Sequence, residues 1–159
     1  MGYIMDLRKF VGHSPLIQVG AGVLLEDGEG RVLLQQRSDN HLWDFSAAGS
    51  MELGESAEDT ARRELLEETG LTAHALELVG VYTGPGEHAV YPNGDEVYNV
   101  EFFFVCRDWS GTLRPQEGEV DGLRFFSPEE FPAELCGGLR RRLPDWEAYK
   151  RAKDGAVQS

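Results

Sequence analysis

The sequence has 159 residues, with 28 acidic side chains against 15 lysines and arginines and a formal net charge of −13. Its length suits one domain, and we expect residues 1–159 to form it. Such an acidic chain lacks the basic clusters with which proteins bind long nucleic acids or anionic membranes. A small phosphorylated ligand can still bind through intervening metal ions. Two unpaired cysteines and no apolar run of membrane-spanning length indicate a cytoplasmic protein.

Five segments have the composition of β-strands, being rich in β-branched, aromatic and other apolar residues. They are residues 16–26, 31–37, 73–84, 95–108 and 122–127. The sequence Asp-Gly-Glu-Gly at 27–30 predicts a turn between the first two, and Asn-Gly within 91–95 predicts another before the fourth. Residues 41–50 show no regular pattern and are expected to be irregular.

The central segment 57–69 is predicted to be a helix, because it lacks proline and glycine and is rich in alanine, arginine, leucine and glutamate. Ser56 is a favourable N-cap and Gly70 a favourable residue to end the helix. Strands on both sides of a central helix indicate an α/β fold built in layers around a mixed sheet.

Two further helices are predicted near the C-terminus. One begins with Ser127 as its N-cap and Pro128 at the first helical position. The other covers residues 144–155, with basic residues near its end and Gly155 as its stop.

Three glutamates of the central helix are spaced to share one face, since Glu64, Glu67 and Glu68 stand at i, i+3 and i+4. Like charges so close destabilise a helix unless something neutralises them. Hard divalent cations such as Mg²⁺ or Mn²⁺ take carboxylate oxygens together with phosphate oxygens of a substrate. The alternative is a solvated acidic face paired with Arg62 and Arg63.

The residues before the helix extend this pattern. Gly49 introduces a turn whose carbonyl can supply a further oxygen ligand, and Glu55 can pair with Arg63 to brace the loop. Gly49, Glu55 and the run RELLEETGL from Arg63 to Leu71 have the spacing of the Nudix box, which the 23-residue stretch closely resembles. The flanking sequences, including LWDFSAAGS before the box, are similar to the family as well, although Ala47 and Ala48 stand where many relatives have proline and glycine.

The resemblance implies an α/β/α sandwich around a mixed β-sheet and hydrolysis of a nucleoside diphosphate linked to another group, with Mg²⁺ or Mn²⁺. It implies that Glu64, Glu67, Glu68 and the Gly49 carbonyl bind the metal. Glu55 and Arg63 would form the structural pair, as their spacing also suggests. A helical glutamate or a glutamate of a later loop would activate water.

The later loop offers two glutamates, Glu117 and Glu119, just before the last predicted strand. We prefer Glu117 as the catalytic residue; the alternative is that both are solvated loop carboxylates.

Residues outside the box must select the substrate. Arg37, Trp43 and Tyr91 are the candidates for substrate binding, with core packing as the alternative for the aromatic rings and a surface role for Arg37. The sequence leaves open whether the substrate is a nucleoside triphosphate, ADP-ribose or a nucleotide sugar. It also leaves open a homodimer, and a non-catalytic nucleotide-sensing protein that has kept the fold.

Overall fold

The computed structural model describes residues 2–116, 118 and 120–158. These residues form three α-helices and eight β-strands. In chain order the elements are α1 (Tyr3–Val11), β1 (Leu16–Glu26), β2 (Val32–Arg37), β3 (Trp43–Asp44), β4 (Ala47–Ser50), α2 (Ala57–Thr69), β5 (Leu71–Tyr82), β6 (His88–Val90), β7 (Glu96–Gly111), β8 (Val120–Phe126) and α3 (Gly137–Gln158). Short 3₁₀ turns lie at Pro85–Glu87 and Pro128–Glu130. No described helix is both long enough and apolar enough to cross a bilayer.

All eight strands belong to one mixed sheet, whose main order is β3-β2-β1-β7-β5. The central strands β1 and β7 run parallel, in register from Leu16 opposite Val97 to Leu25 opposite Cys106. The other pairings are antiparallel: among them, β4 pairs with residues 20–23 of β1, β6 with β7, and β8 with β2. The mixed sheet inferred from the sequence is therefore confirmed.

Helices cover both faces of the sheet, and β1 contributes to both layers because neighbouring side chains of a strand point in opposite directions. Val23 and Leu25 pack in a core with α2, whereas Leu24 packs in a second core with α3. The first core also contains Leu33, Ala57, Ala61, Leu65, Phe104 and Cys106. The second also contains Val32, Leu34, Phe103, Val105, Leu139 and Trp146. The α/β/α sandwich is thus confirmed.

Helix α2 has the boundaries that its sequence predicts. The Ser56 hydroxyl accepts the Asp59 N–H at 3.0 Å and the Asp59 carboxylate accepts the Ser56 N–H at 3.1 Å, which makes a capping box. Gly70 follows the helix in the left-handed conformation, with φ 79°. This firm start and end fix where the glutamates of the helix project.

Several expectations about the other helices need correction. Helix α1 was not predicted. The helix expected from Ser127 is only the 3₁₀ turn Pro128–Glu130. Helix α3 begins at Gly137 rather than 144, and it runs on past Gly155. Burial of Leu139 and Trp146 on the sheet extends α3, because that packing outweighs the cost of about 3 kcal/mol that a proline such as Pro144 brings to a helix interior.

The segment 41–50, expected to be irregular, contains two short strands. Trp43–Asp44 pairs with β2, and Ala47–Ser50 pairs with β1. The second pairing has a direct consequence for the site, because it places Gly49 opposite Ala21 at the centre of the sheet.

Candidate active site

An ion pair between Glu55 and Arg63 joins the loop before α2 to the helix itself. Arg63 Nε donates to Glu55 Oε2 at 2.7 Å and Nη2 donates to Glu55 Oε1 at 3.0 Å. The same carboxylate accepts the Glu52 N–H at 2.8 Å and the Thr60 hydroxyl at 3.1 Å. These interactions, the Arg63 hydrogen bond above all, lower the pKa of Glu55 to about 2 despite its burial.

Arg63 also connects this ion pair with the acidic face of α2, which Glu64, Glu67 and Glu68 form. Its Nη2 donates to the Ser50 carbonyl at 2.9 Å, and its Nη1 donates to Glu64 Oε1 at 2.8 Å. The same Nη1 lies 3.4 Å from Glu67 Oε2. One guanidinium therefore holds β4, the loop and two of the three glutamates of that face.

Glu68 is partly buried, like Glu64, whereas Glu67 is exposed. Its Oε2 accepts the Ala48 N–H at 2.9 Å. Burial, followed by the negative charge of Glu64, raises the pKa of Glu68 to about 8, and the hydrogen bonds from Ala48 and Gln35 only partly oppose that rise. The charge of Asp44 raises it further. Such a position favours either a proton or a bound cation on this carboxylate.

Two glycines make room where β4 approaches β1 and α2. A Cβ at residue 49 would overlap the Glu64 carboxylate, so glycine lets this carboxylate lie directly against the strand. A Cβ at residue 20 would lie 2.8 Å from the Gly49 carbonyl oxygen. The space beside that oxygen therefore depends on Gly20, a residue of β1 that the sequence analysis did not single out.

A polar cleft of about 350 Å³ lies beside Glu68 and includes Arg37. The Arg37 guanidinium binds Asp39, with Nη2 to Oδ2 at 2.8 Å, and lies 3.5 Å from Asp44 Oδ2. The structure thus brings Arg37 to the same cleft as Glu68. Asp44 was missed because nothing in its local sequence shows that β3 would place it near α2.

The two aromatic candidates lie in different surroundings. Tyr91 lines a second cleft, of about 600 Å³, which Glu64 also lines. Trp43 packs edge to face on Phe126, with ring centroids 4.9 Å apart. This contact matches the core-packing alternative for Trp43, whereas the Tyr91 side chain is 43% exposed. Glu117 and Glu119 lie outside the described residues.

The sequence model of the NUDIX domain family matches residues 16–146. The chain belongs to the Nudix hydrolase family. The match spans β1 to the middle of α3. It therefore includes the Glu55–Arg63 ion pair and the acidic face, whereas α1 lies outside it.

Named relatives of this Nudix chain agree with the match. A protein of Bacillus subtilis (strain 168) named "Putative 8-oxo-dGTP diphosphatase" is 30% identical over 128 residues, which are 80% of this chain and 78% of that protein. An RNA pyrophosphohydrolase of Roseobacter denitrificans is 33% identical over 107 residues, 65% of this chain and 59% of its own length. Family and relatives together identify a Nudix pyrophosphohydrolase.

A solved structure supports the fold of this Nudix enzyme. The crystal structure of a MutT NUDIX hydrolase from Burkholderia pseudomallei superposes with a TM-score of 0.70 at 25% identity, covering 82% of this chain and 98% of that one. The agreement extends to the α/β/α arrangement and the mixed sheet described above.

Nudix enzymes generally use divalent metal ions, which bind through oxygen donors of the protein. Among residues 2–116, 118 and 120–158, no three acidic, histidine or cysteine side chains are gathered closely enough to hold one as they stand. The chemical type of the donors nevertheless suits a divalent cation, because three carboxylates on one helical face and the Gly49 carbonyl are hard oxygen ligands. The space that Gly20 leaves beside that carbonyl and the raised pKa of Glu68 fit a cation equally well.

Proposed function

We propose that this Nudix pyrophosphohydrolase uses Mg²⁺ or Mn²⁺ to hydrolyse the pyrophosphate bond of a small nucleoside diphosphate derivative. The observation that carries the proposal is the acidic face of α2 packed against Gly49, with Arg63 and Glu55 holding it in place. The name of the Bacillus subtilis relative makes nucleoside triphosphates the first class to test. ADP-ribose and nucleotide sugars follow, as the remaining classes that the sequence leaves open.

Glu64, Glu67, Glu68 and the Gly49 carbonyl would hold the cation. When bound, such an ion neutralises charge on the pyrophosphate and lowers the pKa of a coordinated water. Arg63 would keep the glutamate face oriented, since it contacts Glu64 and Glu67 while its other side is fixed by Glu55 and Ser50. The Ala48 N–H would hold Glu68 in a single orientation.

A carboxylate must also take the proton of the attacking water. Glu68 is one candidate, because the Ala48 N–H fixes its carboxylate on the acidic face where the attacking water would lie. Glu117, which precedes β8 in the sequence, is the other. Arg37 would contact the substrate from the cleft that Glu68 lines, and Tyr91 from the cleft that Glu64 lines.

A substrate panel with Mg²⁺ and product identification tests the reaction, and Glu68→Gln tests the site. We expect this variant to lower kcat by at least roughly a hundredfold while it stays folded, because it removes a charged donor from the proposed metal site. Glu58→Gln is the matched control, as it makes the same change at an exposed position on the same helix.

Glu117→Gln then separates the two candidate bases. The assignment of the site fails if folded Glu68→Gln protein turns over at close to the rate of the unmodified enzyme. A panel in which no phosphoanhydride is cleaved, although Mg²⁺ is present, would overturn the proposed reaction itself.

We also propose that residues 1–159 act as one domain on small nucleotides in the cytoplasm. Both cysteines are free thiols, Cys106 being buried, which agrees with a reducing compartment. The homodimer left open by the sequence is tested by light scattering at working enzyme concentrations.

A further inference from the structure

The larger cleft, of about 600 Å³, begins at the acidic face and ends outside the region that matches the Nudix family. On one side Glu64 and Ser50 line it, and on the other side α1 and the turn Tyr91–Asp95 close it. Its volume lies within the range of small-molecule sites. Any substrate whose phosphates reach Glu64 can therefore extend its remaining part toward α1.

Helix α1 is a fixed wall of this cleft, because contacts at both of its ends hold it. The Tyr3 N–H donates to Glu52 Oε2 at 2.8 Å, which ties the first turn to the loop before α2. Arg8 is buried and donates to the carbonyls of Gly12, Ser14 and Glu96 at 2.9, 2.6 and 2.8 Å. The last of these bonds joins α1 to the start of β7.

The charges of the lining exclude the phosphate groups from the α1 end. Among the described residues that line the cleft, Arg8 is the one cation, and three backbone carbonyls already accept hydrogen bonds from its guanidinium. Glu52, which accepts the Tyr3 N–H, and Asp95, beside Arg8, give the α1 end of the lining two carboxylates. Phosphates would be repelled there without a metal ion, whereas hydroxyl and amino groups would find acceptors.

The uncharged part of the lining suits a flat ring. Ile4, Met5 and Val97 are apolar, and the exposed ring of Tyr91 lies at the same cleft. Aromatic rings stack on nucleobases. Gln18 and Asn93 add side-chain amides, which can both donate to and accept from a base edge.

A buried donor in this wall has no acceptor. Arg8 Nε forms no hydrogen bond among the described residues, and it lies 3.7 Å from Asp95 Oδ1. Buried donors are nearly always satisfied in proteins, by protein atoms or by water. Asp95 of the turn is the charged group beside Nε, so this ion pair ties α1 to the turn Tyr91–Asp95.

We propose that α1 and the turn Tyr91–Asp95 form the nucleoside-binding wall of the active site, holding the base and sugar of the substrate while its phosphates face Glu64. This inference rests on the proposed function and adds to it a specificity element outside the matched Nudix region. The base stacks on Tyr91, and Met5 of α1 closes the other side.

Two pairs of matched variants test the wall through the separate values of KM and kcat. Tyr91→Ala and Met5→Ala remove groups that line the cleft. Tyr98→Ala removes an equally exposed tyrosine, which lies on the opposite face of β7 from Val97 and stacks on His88. Phe10→Ala removes an exposed side chain of α1 that lines a different cleft.

We expect Tyr91→Ala to raise KM for the best nucleotide of the panel by about tenfold, the usual scale of one lost base–aromatic stack, and Met5→Ala to raise it by about threefold. We expect kcat to stay within about threefold in both, because neither side chain is one of the proposed metal ligands or candidate bases. The two control variants should keep KM and kcat within about twofold of the unmodified enzyme.

A second measurement does not depend on hydrolysis. Uncharged nucleosides are titrated into the metal-free protein, and NMR shifts are mapped by residue. Shifts centred on Met5, Tyr91 and Asn93 support the wall. Shifts confined to other parts of the protein, or unchanged KM in both test variants, overturn it even if hydrolysis is confirmed. Failure of the panel with intact nucleoside binding at the cleft would instead count against the proposed reaction alone.

Discussion

Arg63 shows how one side chain makes an acidic helix face tolerable. Glu55 balances its charge on one side, and Glu64 and Glu67 meet it on the other. The Glu55 carboxylate is only 17% exposed, so its ion pair is weakly screened by solvent. Removing the Glu55 carboxylate would leave Arg63 paired only with Glu64 and Glu67. It would also remove the acceptor of the Glu52 N–H in the loop.

The Glu55–Arg63 pair makes stability depend on pH in the acid range. Because folding lowers the pKa of Glu55 from 4.5 to about 2, its contribution is complete above pH 4.5 and is lost as the pH falls toward 2. We expect Glu55→Gln to lower the free energy of unfolding at pH 7 by about 1–2 kcal/mol and to flatten part of the fall between pH 4.5 and 2. Urea unfolding at several pH values measures both effects.

Glu58→Gln again serves as the control for Glu55→Gln. An equally steep loss of stability below pH 4.5 in Glu55→Gln and in the unmodified protein would show that other carboxylates carry the acid sensitivity. At pH 7, an unchanged free energy of unfolding would show that the loop does not need this pair.

At the same scale, the sequence predicted the partners that a fixed spacing determines and missed those that the tertiary fold brings together. The pairing of Glu55 with Arg63 was expected from their positions in the box, and the hydrogen bonds place it there. The neighbours of Glu68 are different, because Gln35, Asp44 and the Ala48 N–H come from three strands. No local pattern indicates that these strands converge on α2.

Helix α2 carries the glutamates, so its first turn determines how firmly they are held. The reciprocal bonds between Ser56 and Asp59 satisfy two N–H groups that would otherwise lack partners. The sequence also suggested Ser127 as an N-cap, but its side chain makes no such bond at the 3₁₀ turn that follows.

These two serines allow a matched test of capping. We expect Ser56→Ala to lower the free energy of unfolding by about 1 kcal/mol, because it removes the acceptor for the Asp59 N–H. Ser127→Ala should change it by less than about 0.5 kcal/mol. Thermal or urea unfolding of the two variants measures these changes. If both variants lose the same free energy of unfolding, the capping box adds nothing to the stability of α2.

Among the elements, those with strong local signals were predicted well and those that depend on packing were not. The strands 16–26 and 31–37 and the helix 57–69 lie within about a residue of their predicted bounds. Helix α3 begins seven residues earlier than expected, because Leu139 docks in the second core ahead of Pro144. Helix α1 is held by hydrogen bonds from the Tyr3 N–H to Glu52 and from the Arg8 side chain to the Glu96 carbonyl. A pattern of apolar residues in the sequence does not indicate such bonds.

For the whole molecule, a net charge of −13 predicts that divalent cations stabilise the folded state. A ligand that binds only the folded state stabilises it, by about 2.7 kcal/mol at a concentration of 100 times Kd. We expect Mg²⁺ at that level to raise Tm by roughly 5–10 °C. Glu68→Gln should lose most of this gain because it removes one of the proposed donors.

Sodium chloride at matched ionic strength is the control for the thermal measurement, since general screening also relieves repulsion in an acidic protein. An equal rise of Tm with sodium chloride, or an undiminished rise in Glu68→Gln, would place the cation effect outside the acidic face. Calorimetric titration of Mg²⁺ into the metal-free protein gives the Kd that sets the concentration.

Strand β1 belongs to three neighbourhoods at once: two cores through Val23 and Leu24, and the acidic face through Gly20. A single inserted residue within it would exchange the side chains of the two cores and carry Gly20 away from Gly49. The turn at 27–30 belongs to neither core and does not contact Gly49 among the described residues. Length variation during the divergence of this enzyme is therefore expected in that turn, with the strand itself unable to lengthen or shorten.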